Sequence, residues 1–560
     1  MSRLQSNRRQ DGPSPAAWVA IGALSVLGLI GVVILGAWRI GVTASGGATQ
    51  GWTTTATVVT LAGVLMVLAL AAVVGWAVTR AQKGATRVDA AARYLGNRNK
   101  RDLEGLTEAS AQAVAERLGA SGNGPGVPLG TPVGHTEALY STWEQVRIAV
   151  MGPRAGKTSS VCVRELLESK GPAIATSNKR DLVDLTRGPR SEIGLVRVHD
   201  LQGLIGEKPT WWWNPLSYAS SVDRADELAD VFIAAVTDAG SKQDAYFTGA
   251  AKKTLSAMLL AAHVGGDRIS IILEWLANPD LGGPVERLAA EGYMAVATTL
   301  QGQIDLTPKQ RDGVFGTALE WVGFLRNEQV LRWAEQQGPD DQRPQFDPEA
   351  FARSTDTLYL ISKEGAGTAR ALTGALTMAV LDAADKVGSV SPGMRLPRPM
   401  CAVLDEAANV TRLRQLPDLF SFYGSRGIIL SVFLQSWSQG VEAWGENGMK
   451  KMWSAANVRL VGAGIAEEGF LRQVADLVGT TELVRTSTSV GKGQRSTSRS
   501  TQRERILEVS EISELPSGRA LLFTSGSRAI LLRLVPWWEM PYADAVQASK
   551  EYYEGLAVSA

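Results

Sequence analysis

The sequence predicts an α/β fold: a largely parallel sheet, interrupted by an all-helical insertion and preceded by two N-terminal transmembrane helices. Three observations carry this. Short apolar runs alternate with helical patterns on both sides of a long middle block. That block, residues 219–353, shows helical spacing and no convincing strand. Two stretches near the N-terminus run for more than twenty residues without a charge.

The uncharged stretches are Ala16–Ala37 and Ala56–Val78, giving spans of about 16–38 and 56–78 within a hairpin of residues 16–80. Trp18, Trp38, Trp52 and Trp76 stand near their ends, as interfacial anchors would. Arg3, Arg8 and Arg9 precede the first span, while Arg80, Lys83, Arg87 and Arg93 follow the second. Positive charge on both outer flanks predicts two cytoplasmic termini, residues 1–15 forming a short tail. A cleaved signal peptide would need a shorter apolar core and no second span. The chain is therefore expected in the cell (inner) membrane as a multi-pass protein with a cytoplasmic bulk.

Residues 81–145 read as a linker with a helical stretch near Leu106–Leu118, broken by the SGNGPGVP run at 121–128. Strands are predicted at Ile148–Val150, Pro172–Ser177 and Gly194–His199, then at Thr357–Ile361, Pro399–Leu404, Gly427–Leu434 and Val458–Val461. Arg519–Phe523 and Ala529–Leu534 suggest a strand pair across a Gly/Ser turn. The sheet domain is thus 146–218 plus 354–545, with 485–505 a flexible, basic, Ser-rich loop and 546–560 a tail. A formal net charge of +1 excludes a globally basic nucleic-acid binder, leaving local patches. Cys162 and Cys401 give no disulfide framework, and His135, His199 and His263 have no metal-ligand spacing.

The stretch RIAVMGPRAGKTSS, residues 147–160, is a strand–turn–helix whose turn resembles a phosphate-binding loop, although Met151 stands where that pattern has its first glycine. Amides at a helix N-terminus bind anions through unpaired N–H groups and the helix dipole. Gly152, Pro153, Arg154, Ala155, Gly156, Lys157, Thr158 and Ser159 form the candidate loop, Gly152 supplying unusual backbone angles. Lys157 would reach the β- and γ-phosphates of ATP, and Thr158 would hold Mg²⁺. The partner motif is Asp405-Glu406, delivered by a buried strand to its carboxyl edge. Asp405 would orient the water shell of Mg²⁺, and Glu406 would polarise the attacking water. Gln435 ends the next strand and suits either the γ-phosphate and lytic water or a polar cap. Arg426, just before that strand, suits either an arginine finger toward a neighbouring subunit or a surface salt bridge.

Two N-terminal spans, MGPRAGKT, TSNKRDL at 176–182, WNPL at 213–216, VLDEAANV at 403–410 and SRGIILSVFLQSWSQ at 425–439 occur in this order. Together they resemble the TraG/TraD-like coupling proteins of conjugation and type IV secretion, over nearly the whole chain after residue 16. The resemblance implies a RecA-like P-loop NTPase domain with an all-helical domain, assembled as a membrane-bound homo-hexamer. It implies an ATPase that delivers relaxase-bound single-stranded DNA to type IV secretion channel components. It also implies nucleotide binding by Lys157 and Thr158, and hydrolysis by Asp405 and Glu406. Lys252, Lys253, Arg268, Lys309 and Arg311 in the insertion are either DNA contacts or a solvated basic face. Trp211–Trp213 either stack on bases or pack between domains. A double-stranded DNA pump of FtsK type, protein-only export, and a receptor using nucleotide as a switch are the alternatives.

Overall fold

Near-continuous apolar runs such as MCAVL at 400–404 and IILSVFL at 428–434 suit strands covered on both faces. The computed structural model, which describes residues 36, 38, 39, 87–237, 244–281, 283–363, 367–491 and 494–559, buries every residue of both. The spans expected at 16–38 and 56–78 lie outside the described residues apart from 36 and 38. Among the described residues no helix is long and apolar enough to cross a membrane.

The larger of two units comprises Ala92–Val478 and Leu507–Ala560. Its strands are β1 (Val127–Pro132), β2 (Leu139–Ser141), β3 (Arg147–Val150), β4 (Ala173–Ser177), β5 (Val196–Asp200), β6 (Thr357–Ile361), β7 (Met400–Leu404), β8 (Ile428–Leu434) and β9 (Val458–Gly462). The smaller unit contributes β10 (Thr480–Gly491) and β11 (Gln494–Arg505), after which the larger resumes with β12 (Arg519–Thr524) and β13 (Ile530–Arg533). The large sheet runs β2-β1-β13-β12-β9-β3-β8-β7-β4-β6-β5. From β9 to β5 all neighbours are parallel, and from β9 outward to β2 they are antiparallel. The chain leaves β3 toward β4 on one side and returns to β9 on the other. The carboxyl edge beside β3 is therefore a topological switch point, where such sheets bind ligands.

The expected helical insertion lies between β5 and β6, as helices including Val222–Val236, Ala245–Val264, Met294–Ile304 and Pro308–Trp321. The single helix candidate Phe315–Trp333 divides at Val322, with a 3₁₀ turn Gly323–Arg326 before helix Glu328–Ala334. At the neck, Trp212 N donates to Pro344 O (3.2 Å) and Phe346 N to Trp212 O (2.7 Å), joining the strands that enter and leave. Trp211 and Trp213 are buried, Trp211 packing on Trp333, Phe346 and His199, so these two pack rather than offer a stacking surface. One hydrophobic cluster runs from Ile148 and Ile174 of the sheet to Leu255 and Trp321 of the insertion, so the insertion shares the sheet's core. Lys252 pairs with Asp230 (2.7 Å) and Arg311 with Asp280 (3.0 Å), while Lys253, Arg268 and Lys309 are exposed.

Three expectations need correction. The 81–145 linker in fact supplies β1 and β2. Pro128, Gly130 and Pro132 read as breakers, yet β1 pairs with β2 over its first half and β13 over its second, across a bulge. The segment 485–505 is no loop but most of an antiparallel hairpin, β10 with β11, paired from Thr480↔Arg505 to Gly491↔Gln494. Its Ser/Thr content read as disorder, but threonine favours extended backbone and neither strand contains a proline. Residues 546–559 of the expected tail belong to the helix Ala543–Ser559, docked on helix Asp181–Ser191. Pro189 weakens that second helix, and the Ser549 hydroxyl enters it, donating to Asp184 O (2.6 Å) and accepting from Gly188 N (3.0 Å).

Beneath the phosphate loop, Arg147 of β3 pairs with Glu165 of helix Val163–Glu168, and Ser431 of β8 donates to the same carboxylate. All three side chains are buried, and burial raises the Glu165 pKa against the pull of Arg147. Glu165→Ala leaves a buried arginine uncompensated and is expected to cost about 3–5 kcal/mol, read from the denaturant midpoint. His199 is buried, and desolvation lowers its pKa to about 3. Only the unfolded chain then takes up its proton below pH ~6.5, so stability falls from there toward pH 3, by at most ~1.4 kcal/mol per pH unit. Comparing thermal midpoints against pH for the chain and for His199→Phe checks this, since the variant loses that component.

Candidate active site

The loop after β3 forms because two close backbone approaches leave it no alternative. Gly152 N donates to Ala463 O (2.9 Å), and a β-carbon on Gly152 would run into the Gly464 carbonyl. Glycine is needed there for space, not for a left-handed angle. The positive φ values fall instead on Arg154 (58°) and Gly156 (89°), which corrects the role expected of Gly152. The left-handed Arg154, unusual for a side-chain-bearing residue, is braced by Ser517 Oγ donating to Arg154 O (3.0 Å) and Gly518 N to Ala155 O (3.4 Å). Met151 is buried over Gly462, where a β-carbon would lie 2.7 Å from Met151 Cγ and Cε. A large residue is therefore accommodated at the position that departs from the glycine pattern. Lys157 leads into a π-helical turn, Thr158–Cys162, continued by helix Val163–Glu168. First-turn amides have no intrahelical acceptor, so Thr158 and Ser159 present N–H groups at this end.

The acidic doublet follows β7. Lys157 Nζ lies 2.8 Å from Asp405 Oδ1 and 2.5 Å from Glu406 Oε1. Gln435, at the tip of β8, donates through Nε2 to Glu406 Oε1 at 2.6 Å. The segments that follow three neighbouring strands, β3, β8 and β7, thus meet at one carboxylate. Burial disfavours the charged form of Lys157, but Asp405 and Glu406 outweigh it and raise the lysine pKa. Burial likewise raises the Asp405 carboxyl, with Lys157 pulling the other way. Glu406 has a left-handed backbone (φ 54°), and Thr176 Oγ1 of β4 donates to Asp405 O (2.8 Å). Cys162 and Cys401 are buried, and burial raises both thiols, consistent with structural roles.

Arg426 is not part of this cluster. It precedes β8, which is seven residues long, so it sits at the opposite edge of the sheet, about 20 Å away. There it pairs with Asp385 (3.0 Å) and donates to Met394 O (3.1 Å), realising the salt-bridge reading within the chain. Two contributors escaped the sequence reading. Gln439 reaches Glu406 Oε2 at 3.4 Å and accepts from Gln435 N at 2.9 Å; its spacing of four from Gln435 was the available signal. Glu467 accepts from Trp437 N and Ser438 N, a long-range contact with no local signature.

A glycine–lysine loop on one parallel strand, facing an acidic doublet two strands away, defines a P-loop NTPase of the RecA-like α/β class. Among solved structures, the bacterial conjugative coupling protein TrwBdeltaN70 in its unbound monoclinic form has a similar fold, with TM-score 0.51, 14% identity, and coverage of 70% of this chain and 85% of that one. The plasmid coupling protein TrwB with the ATP analogue ADPNP gives TM-score 0.51, 13% identity and 70% and 86% coverage. Its complex with ADP and Mg²⁺ gives 0.50, 12%, 70% and 85%. No curated protein matches in sequence. Residues 399–517 match the family model described as the TraM recognition site of TraD and TraG. The sequence match and the fold likeness together support the TraG/TraD-like coupling protein family expected from the motifs.

Gly152→Ala forces Gly464 and the loop apart. With such overpacking, about 1–3 kcal/mol, carried by the loop, nucleotide affinity should fall about 5- to 150-fold, measured by titration with a fluorescent analogue.

Proposed function

We propose that this chain is a membrane-anchored ATPase that couples relaxase-bound DNA to a type IV secretion channel and drives single-stranded DNA, or attached protein, across. The observation that carries this is the junction of Lys157, Asp405, Glu406 and Gln435 at adjoining strand tips. The plasmid coupling protein TrwB, which shares the fold, is described in complexes with an ATP analogue and with ADP and Mg²⁺. The residues present fit such a ligand: helix-start amides and Lys157 suit phosphates, and Thr158 with Asp405 offers the hard oxygen donors Mg²⁺ prefers. Among the described residues no larger cluster of metal-binding side chains competes.

With ATP bound, the Lys157 ammonium, still on its side chain, would exchange its two carboxylate partners for β- and γ-phosphate oxygens. Bound Mg²⁺ supplies neutralisation of charge developing on the transferred phosphoryl group. Release of Lys157 frees Glu406 Oε1 to accept a proton from the attacking water, while Gln435 keeps that carboxylate oriented. The two N-terminal spans place both termini in the cytoplasm and the ATPase at the membrane. Assembly as a homo-hexamer would let Arg426 serve a neighbour's site after leaving Asp385. DNA contacts in such a ring are chiefly to phosphate and strongly salt-dependent.

Glu406→Gln should bind ATP but hydrolyse it at least ~100-fold more slowly, and Lys157→Ala should lose binding. Transfer should fail in both, and single-stranded DNA should stimulate the wild-type ATPase. Transfer that survives Glu406→Gln with hydrolysis abolished would make the protein a switch-type receptor instead. Stimulation by duplex alone would favour the double-stranded pump.

A further inference from the structure

Glu467 lies in the loop after β9, immediately before helix Glu468–Val478. Its carboxylate accepts from Trp437 N (2.6 Å) and Ser438 N (2.9 Å), the first amides of helix Trp437–Ala455. That helix already has a local cap, because Ser436 Oγ accepts from Gln439 N at 3.2 Å. It is also seated by packing, with Trp437 stacked on Phe470 at 5.0 Å between ring centres. A carboxylate brought from another strand's loop is therefore not required merely to start the helix. It does fix where the first turn sits; that turn carries Gln439, and Gln435 lies just before its cap, so both glutamines that touch Glu406 are tied to it. Gln435 reaches Glu406 Oε1, Gln439 reaches Oε2, and Gln439 Oε1 accepts from Gln435 N. The loop holding Glu467 is fastened at its other end to the phosphate loop, through Gly152 N to Ala463 O and the Gly152–Gly464 approach.

We infer that Glu467 is a positioning residue for hydrolysis, holding the two glutamines in register with Glu406 and tying that register to the phosphate loop. The inference rests on Glu406 being the general base. A displacement of Gly152 passes through residues 463–467 to the helix start, and from there to both oxygens of the Glu406 carboxylate. The hydrogen bonds of Glu467 go to Trp437 N and Ser438 N rather than to Lys157 or Thr158, so its loss should act on turnover before nucleotide affinity.

The test uses the full-length protein in membranes, with Glu467→Ala, Glu467→Gln, Gln439→Ala and the double variant Glu467→Ala/Gln439→Ala. A misplacement on the ångström scale costs on the order of 100-fold, so kcat should fall by about 10- to 100-fold in Glu467→Ala. Glu467→Gln, which keeps one acceptor oxygen, should restore part of this, while KM for ATP and nucleotide affinity stay within about twofold. The double variant should lose less than the product of the single losses, because both act on one carboxylate. An unchanged kcat overturns the inference. So does a parallel loss of affinity and turnover with a lowered thermal midpoint that Glu467→Gln does not restore. Glu406→Gln is run alongside: if it still hydrolyses ATP, the base assignment fails whatever Glu467 does.

Discussion

The site depends on one ammonium held between two buried carboxylates. Removing a carboxylate or an ammonium from water costs several kcal/mol per ion, so each must find compensation within the fold. Lys157 and the Asp405–Glu406 pair supply it for each other, at 2.8 and 2.5 Å. Because β8 separates β3 from β7, that contact has to reach across a strand. Register Val150↔Leu434 ends β3 level with β8, while Leu404↔Val432 ends β7 two residues earlier. Asp405 and Glu406 therefore continue alongside the last residues of β8, and Gln435 meets Glu406 there. The pairing is also a store of reactivity. In the proposed reaction phosphate oxygens would take Lys157 over, and the carboxylate it leaves is already held by Gln435.

Around this pair the chain removes bulk wherever two backbones must touch. Gly152 meets Gly464, and Gly462 leaves room for Met151, so β9 is fitted to the phosphate loop on one side. The segment Ser517–Gly518 braces the loop carbonyls on another. Beneath, Arg147, Glu165 and Ser431 fasten the loop's helix to β3 and β8. The helical insertion shares its core with the sheet and is closed at its neck by Trp212.

The strands around the site were legible because they are apolar, short and bounded by clear turns; Met400–Leu404 and Ile428–Leu434 differ from expectation by one residue. Lys157, Asp405, Glu406 and Gln435 were legible because their chemistry is tied to strand ends. β1 and β2 were missed because proline and glycine mark loops locally, while their pairing partners lie up to four hundred residues away. The C-terminal helix was missed for a related reason: its dock is a helix weakened by Pro189 and opened by Ser549.

The sequence by itself determined the α/β class, the helical insertion between β5 and β6, and the residues that form the phosphate loop and acidic doublet. Those features depend on period, composition and neighbours a few positions apart, which local pattern records. Only the folded chain shows that Arg426 pairs with Asp385, that Gly152 serves space rather than angle, and that Glu467 fastens the glutamine helix. Each of these depends on which groups, distant in sequence, come to within about 3 Å of one another, and no local pattern encodes that.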